Sequence, residues 1–378
     1  MRIGLDIRPF LRQETGVGVY LKNLLFHLAG IDKTNEYCLF SSSWKDRFPK
    51  EKIPPFARLD FRDFHIPVRV LNSLWQTLGR PSLDELFRKR IDLAHSPTPL
   101  VLPTGGKRIV TVCDLFFMDY PQKADREARR VFLRKTKRSL QKADGIITIS
   151  EFSKQAILER FAVDGKKILV TYPGLSPEFH DESKPGDLEE TRKAYGLPRN
   201  FLLFVGALEP RKNIPGLIEA LKIIHKAGEK IVLAIAGRDG EASAIVREKI
   251  REENLGAYVK ILGYIPDRAV RDLYRIATVF VFPSYCEGFG LPLVEAMSSG
   301  LPIAAASGGA LPEVGTNAAL YFDPNDAEEM AEKILFLLRS GEARKALAET
   351  GRRRVKYFGW EKTASRTLDF YRSVAGVP

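Results

Sequence analysis

The chain has 378 residues, too many for one ordinary hydrophobic core and suited to two domains of under about 200 residues each. Its 59 Lys and Arg outweigh 47 Asp and Glu, and the formal net charge of +12 favours acidic ligands or an anionic surface. No recognition motif for nucleic acid accompanies that charge, no apolar run reaches the length of a bilayer span, and the three cysteines Cys38, Cys113 and Cys286 lack metal-ligand spacing, which fits a reducing cytoplasm.

Arg2 to Ile7 reads as a first buried strand rather than a secretion signal. Gly16 and Gly18 then turn the chain into a helix carrying Val19, Leu21, Leu24, Leu25 and Leu28 at helical spacing. Gly-x-Gly after a strand is half of a dinucleotide-type βαβ unit and equally a simple helix-start turn. Between Tyr37 and Asp63 short strands alternate with proline-rich turns. In the stretch Ile66 to Arg80, Val70 or Leu71, Leu74, Trp75 and Leu78 share one helical face between Arg69 and Arg80. Such a helix either packs on its own sheet or lies on a membrane interface.

Ile91 to Pro97 and Arg108 to Asp114 are short strands ending in polar residues, and ligands of parallel α/β sheets sit at such ends. His95 is there either as a satisfied structural histidine or as a ligand contact. Lys123 to Lys142 holds nine Lys or Arg against two acids, with Val131, Phe132, Leu133 and Leu140 interleaved. This densest positive patch is either a solvated helix face or a contact for anionic lipid or a phosphorylated acceptor. Gly145 to Ile149 follows as a strand, and Ser150 caps the next helix with Ser153 nearby. Lys167 to Tyr172 is the last strand of the first domain, and the polar, proline-broken stretch from Asp181 to Asp187 has linker composition.

Asn200 to Gly206 opens a second sheet, and its loop carries Arg211 and Lys212 just before a helix. Two adjacent cations at a strand mouth are costly to place together unless an anion joins them. Strands at Ile231 to Ala236 and Tyr258 to Leu262 follow, ending at Gly237 and Gly263. The apolar run Thr278 to Pro283 is a buried parallel strand, and Tyr285 to Gly300 is a glycine loop followed by a short helix with Pro292 in its first turn and Gly300 past its end. Gly288 and Gly290 let main chain approach a ligand, and the helix N-terminus offers N–H groups to a phosphate. Glu287 and Glu295, eight positions apart, bracket that anion site and would read hydroxyls; Glu295 alone is also explained as a helix-start acid. A phosphate flanked by hydroxyls describes a nucleotide-sugar. Leu301 to Ala305, the turn Gly308-Gly309, and helices from Asp326 to Leu338, Gly341 to Tyr357 and Trp360 to Tyr371 complete the pass.

The segment Glu287-Gly288-Phe289-Gly290-Leu291-Pro292-Leu293-Val294-Glu295-Ala296-Met297 resembles the E-x7-E signature of family 4 of the retaining glycosyltransferases. Gly16-Val17-Gly18-Val19-Tyr20, Ser150-Glu151-Phe152-Ser153, Gly206 to Asn213 and Gly263-Tyr264-Ile265-Pro266 extend the similarity over nearly the whole chain. The resemblance implies an α/β GT-B fold of two Rossmann-like domains. These are an acceptor-side domain 1–174, on which the segment 359–378 packs back, and a nucleotide-sugar domain 175–358. It implies retaining, metal-independent hexosyl transfer from a nucleotide diphosphate sugar, with no cofactor, to a glycan or lipid-linked acceptor of surface polysaccharide. GDP-mannose is the leading donor and a UDP-sugar the other. Arg211, Lys212 and Glu287 are the implied catalytic residues. Gly16, Gly18, Gly206, Gly288, Phe289, Gly290, Leu291 and Glu295 are on the donor; Cys113 and Asp114 are on the acceptor side. Cys113 stands where relatives have histidine. The chain is expected in the cytoplasm, with a peripheral contact to anionic membrane. The other readings are a sugar-nucleotide epimerase or hydrolase of the same fold and a non-catalytic protein binding anionic surfaces.

Overall fold

A computed structural model of the protein describes residues 1–11, 15–119, 126–180 and 185–377. It divides into two compact units, one of 1–174 with 359–378 and the other of 175–358.

The first unit holds a seven-stranded parallel sheet of β1 (Arg2–Asp6), β2 (Glu36–Ser42), β3 (Leu59–Phe64), β4 (Leu93–Ser96), β5 (Lys107–Val112), β6 (Gly145–Thr148) and β7 (Ile168–Val170), in the order β3-β2-β1-β4-β5-β6-β7. Strands such as β4 and β6 are buried along their full length, as a sheet covered on both faces requires. The helix Gly16–Ile31 buries Leu21, Leu24, Leu25 and Leu28, with Thr15 capping its start by accepting from the Gly18 N–H at 3.2 Å. It packs on the helix Trp360–Ala375, where Trp360 meets Tyr20 with ring centres 5.9 Å apart and the Thr363 hydroxyl donates to the Tyr172 carbonyl. Burying Leu368 and its like on this helix is worth roughly 2 kcal/mol per side chain. Ser150 caps the helix Glu151–Arg160 by accepting from the Ser153 N–H at 3.0 Å, as its position predicts.

The single apolar face expected between Ile66 and Arg80 is divided. In the helix Val68–Thr77, Leu71 and Trp75 are buried against the sheet, whereas Val70 is exposed, as is Leu78 just beyond it. The inner side is therefore core packing. Part of the linker stretch is also corrected: residues 181–184 lie outside the described residues, and from Pro185 the chain is already the helix Pro185–Ala194. Of the basic stretch, Lys123 to Asp125 lie outside the described residues and the rest is the helix Arg126–Lys142.

The second unit holds β8 (Phe201–Val205), β9 (Val232–Ala236), β10 (Val259–Gly263), β11 (Val279–Phe282), β12 (Ile303–Ala306) and β13 (Leu320–Phe322), all parallel, in the order β10-β9-β8-β11-β12-β13. Successive strands run outward from β8 to one edge and from β11 to the other. The crossover between β8 and β11 thus leaves a crevice at their carboxyl ends, where open parallel sheets take their ligands.

Candidate functional site

Both loops at that crevice carry charge. After β8 the chain makes a short turn at Pro210–Lys212 and enters the helix Ile214–Lys226; after β11 it runs through Ser284 to Gly290 into the helix Leu291–Ser298. The two are tied at the backbone, where the Tyr285 N–H donates to the Arg211 carbonyl at 2.9 Å. Side chains complete the link. Arg211 donates from Nη1 to Glu287 Oε2 at 2.6 Å and from Nε to Glu209 at 3.0 Å, while Lys212 Nζ donates to Glu287 Oε1 at 2.6 Å. Lys212 also lies 5.1 Å from the centre of the Phe282 ring.

The three charged groups define each other's protonation. Burial by itself would push the Glu287 carboxyl up, but the Arg211 and Lys212 charges outweigh it and hold the group at about 2. Burial draws the Lys212 ammonium below the usual lysine range, with Glu287 opposing the shift. With Glu209 on Arg211, two cations face two carboxylates, and the remaining lone pairs of Glu287 can accept hydroxyl protons.

Glycine geometry shapes the loop. Gly290 sits at φ +95° as the cap before Leu291, and a Cβ there would lie 2.7 Å from the Leu311 side chain. Facing it, Gly309 at φ +67° brings main chain so close that a Cβ would stand 2.5 Å from the Glu287 N and O, and the Ala310 N–H donates to the Glu287 carbonyl at 2.8 Å. The Gly308-Gly309 turn is therefore a clamp on the backbone of Glu287.

Glu295 is placed just over one turn into the helix and is partly buried, accepting a hydrogen bond from the Tyr274 hydroxyl at 3.0 Å. Burial lifts its carboxyl to about 7, with the Tyr274 bond working against the shift. Phe289 turns its ring into the core, edge-on to Phe358 at 5.4 Å, so only its backbone can reach a ligand at the loop. Gly206 follows β8 and donates its N–H to the Ala236 carbonyl at 2.9 Å; Gly288 is buried and Leu291 begins the helix.

The remaining predicted residues belong to the other unit. Gly16 and Gly18 start the helix Gly16–Ile31. Cys113 follows β5, its carbonyl accepting from the Ser153 hydroxyl at 3.0 Å, and burial with the adjacent Asp114 charge pushes its thiol up to about 12. Asp114 accepts from the Phe116 N–H at 3.4 Å. His95 is fully buried between the Tyr371 hydroxyl at 2.6 Å and the Thr111 hydroxyl at 2.7 Å, and burial lowers it to about 3, which makes it a structural histidine.

Sequence reasoning missed three groups: Glu209, which supports Arg211; Tyr274, which holds Glu295; and Glu287 itself as the anion joining the two cations. Only the last had a signal, in the cost of an adjacent Arg-Lys pair. Among the described residues no helix is long and apolar enough to cross a membrane.

Two family models together match most of the chain. The family model for glycosyl transferases group 1 matches residues 187–354, and that for glycosyltransferase family 4 matches residues 15–179. The chain is 28% identical over 381 residues to the O-antigen chain mannosyltransferase B of Escherichia coli, covering 98% of this chain and 100% of the relative. Its fold is similar to that of a sucrose-phosphate synthase from Thermosynechococcus elongatus, with 22% identity, TM-score 0.78 and 99% of each chain covered. It is also similar to Anabaena HepE in complex with UDP and glucose, at 18% identity and TM-score 0.76, covering 99% of this chain and 100% of the other. The chain belongs to the group 1 glycosyltransferases of family 4, with the GT-B fold.

Proposed function

We propose that the protein transfers a hexose, mannose from a guanosine diphosphate donor in the leading reading, to a glycan or lipid-linked acceptor in surface polysaccharide synthesis, with retention and without a metal. One observation carries the reading: Arg211 and Lys212 at the mouth of β8 meet Glu287 at the mouth of β11, at the crossover of the sheet.

In that reading the bond from the sugar C1 to the diphosphate oxygen breaks, and its electron pair stays on the diphosphate. Arg211, Lys212 and the loop amides from Gly288 to Leu291 stabilise the charge as it grows. The acceptor oxygen bonds C1 from the face the diphosphate leaves, and its proton passes to a phosphate oxygen. Glu287 accepts from donor-sugar hydroxyls, and Glu295 from the ribose or the sugar. The E. coli relative, by its name, supports mannose, and the UDP complex of HepE supports a nucleotide-sugar donor. Gly16, Gly18, Cys113 and Asp114 on the other unit belong to the acceptor and phosphate side of the proposal. A cytoplasmic enzyme with a peripheral contact to anionic membrane completes it.

Thermal unfolding with a panel of nucleoside diphosphates and sugar nucleotides, each with and without EDTA, tests this. A ligand at about a hundred times its dissociation constant adds roughly 2.7 kcal/mol of stability. One nucleoside diphosphate should raise the midpoint regardless of EDTA, and Arg211→Ala should weaken its binding by roughly tenfold or more. A panel in which no nucleotide shifts the midpoint defeats the reading.

A further inference from the structure

A second cavity, of about 570 Å³, lies within the first unit, between the end of the helix Val68–Thr77, the chain leading into β5 and the helix Arg126–Lys142. Six cations line it, Arg80, Arg108, Arg134, Lys135, Arg138 and Lys142, against one acid, Glu85. Arg80 stands 3.5 Å from Glu85, and Arg108 stands 3.6 Å from Asp144. The four on the helix have no acidic partner among the described residues. Arg134, Arg138 and Lys142 are spaced four apart, so they share one helical face, where like charges repel. A fold that gathers them over a cavity is relieved by an anion.

The cavity is not wholly polar. Trp75 and Leu100 line it, and the Trp75 indole is fixed by donating to the Pro81 carbonyl at 2.8 Å. Leu78, beside the lining residue Gly79, is 71% exposed. Arginine forks match phosphate oxygens two at a time, and the volume suits a head group rather than an extended polymer.

We infer that this cavity is a binding site for a phosphate-bearing group, distinct from the donor site of the second unit. The inference deepens the membrane and acceptor part of the proposal above and rests on that reading only for its biological setting. The phosphate can come from an anionic lipid head group or from a soluble phosphate compound, and both sources present the same oxygens to the same cations.

The test uses the full chain at about 0.15 M salt, the ionic strength at which only close contacts survive screening. Inorganic pyrophosphate, added to proteins that also carry Arg211→Ala so that the donor site does not compete for it, is the soluble probe, and phosphatidylglycerol vesicles against phosphatidylcholine vesicles are the lipid probe. R134E/R138E/K142E changes three exposed side chains, and K226E/K345E/R353E makes the same change in net charge on the second unit. The wild type should bind at least one probe, the cavity variant should lose about tenfold or more, and the control should lose less than about threefold. Nucleoside diphosphate affinity should stay unchanged in the cavity variant, so the result is independent of the donor-site reading. R134Q/R138Q/K142Q should reproduce the loss without charge reversal. Binding of pyrophosphate but not vesicles assigns a soluble phosphate, and selective binding of phosphatidylglycerol assigns a head group. Absence of binding to both probes, or equal weakening in cavity and control variants, overturns the inference.

Discussion

Lys212 Nζ and Glu287 Oε1 lie 2.6 Å apart although 75 positions separate the residues along the chain. With Arg211 on the other carboxylate oxygen, the contact joins the loops after β8 and β11.

Glu287→Ala should cost about 3–5 kcal/mol of stability, because it leaves the Lys212 charge buried without its carboxylate. Acid acts through the same group. Its folded value near 2 lies below the unperturbed 4.5, so it contributes about 3 kcal/mol at pH above 4.5, and that contribution is lost as pH falls from 4.5 towards 2. Urea denaturation of wild type and variant across this window measures both effects. A variant as stable as wild type at pH 7 contradicts the account.

Glu295 works in the opposite direction. Its folded value near 7 lies above 4.5, so the native state holds the proton more tightly and this group's contribution to stability falls as pH rises from 4.5 to 7. Glu295→Gln should remove that slope. Tyr274→Phe deletes the bond that favours the ionised form and should move the titration to higher pH. Carboxyl titration followed by NMR would read the shift, and movement to lower pH would exclude the Tyr274 bond as its cause.

Gly309→Ala should damage the site without replacing any charged side chain. The added Cβ would meet Glu287 main chain at 2.5 Å on a backbone of φ +67°. Adopting that conformation with a side chain costs roughly 1–3 kcal/mol before the clash is counted. Nucleotide affinity should fall together with stability; a variant that keeps both shows the turn to be free to move.

Cys113 should be a poor nucleophile. With its thiol pushed up to about 12 from 9, the thiolate fraction at pH 8 is roughly a thousandfold below that of an ordinary cysteine. Iodoacetamide should label native protein at Cys113 far more slowly than denatured protein, by mass spectrometry of tryptic peptides. Fast labelling of the native protein refutes that burial.

Local signals carried much of this structure. The β-branched and aromatic run at β11, the cap at Ser150, Pro292 in the first helical turn and Gly300 at φ +66° beyond that helix are each dictated by a few neighbouring residues. What escaped sequence reasoning depends on partners far along the chain. Arg211 and Lys212 asked for an anion, and nothing local said that Glu287 would supply it; Tyr274, in a different helix from Glu295, left no pattern at all. The stripe around Trp75 was visible, but which side met the sheet was fixed by Phe40, Ala94 and other residues remote in sequence.

The helix Trp360–Ala375 belongs to the unit that begins at Met1, and the segment 175–358 forms a unit of its own between the two parts. During synthesis the later unit can therefore close as soon as Phe358 has emerged. The earlier one lacks the partners of the Tyr20 ring and of the Nδ1 of His95 until Trp360 and Tyr371 arrive. The first-made half of the protein is the last to have its full sequence at hand.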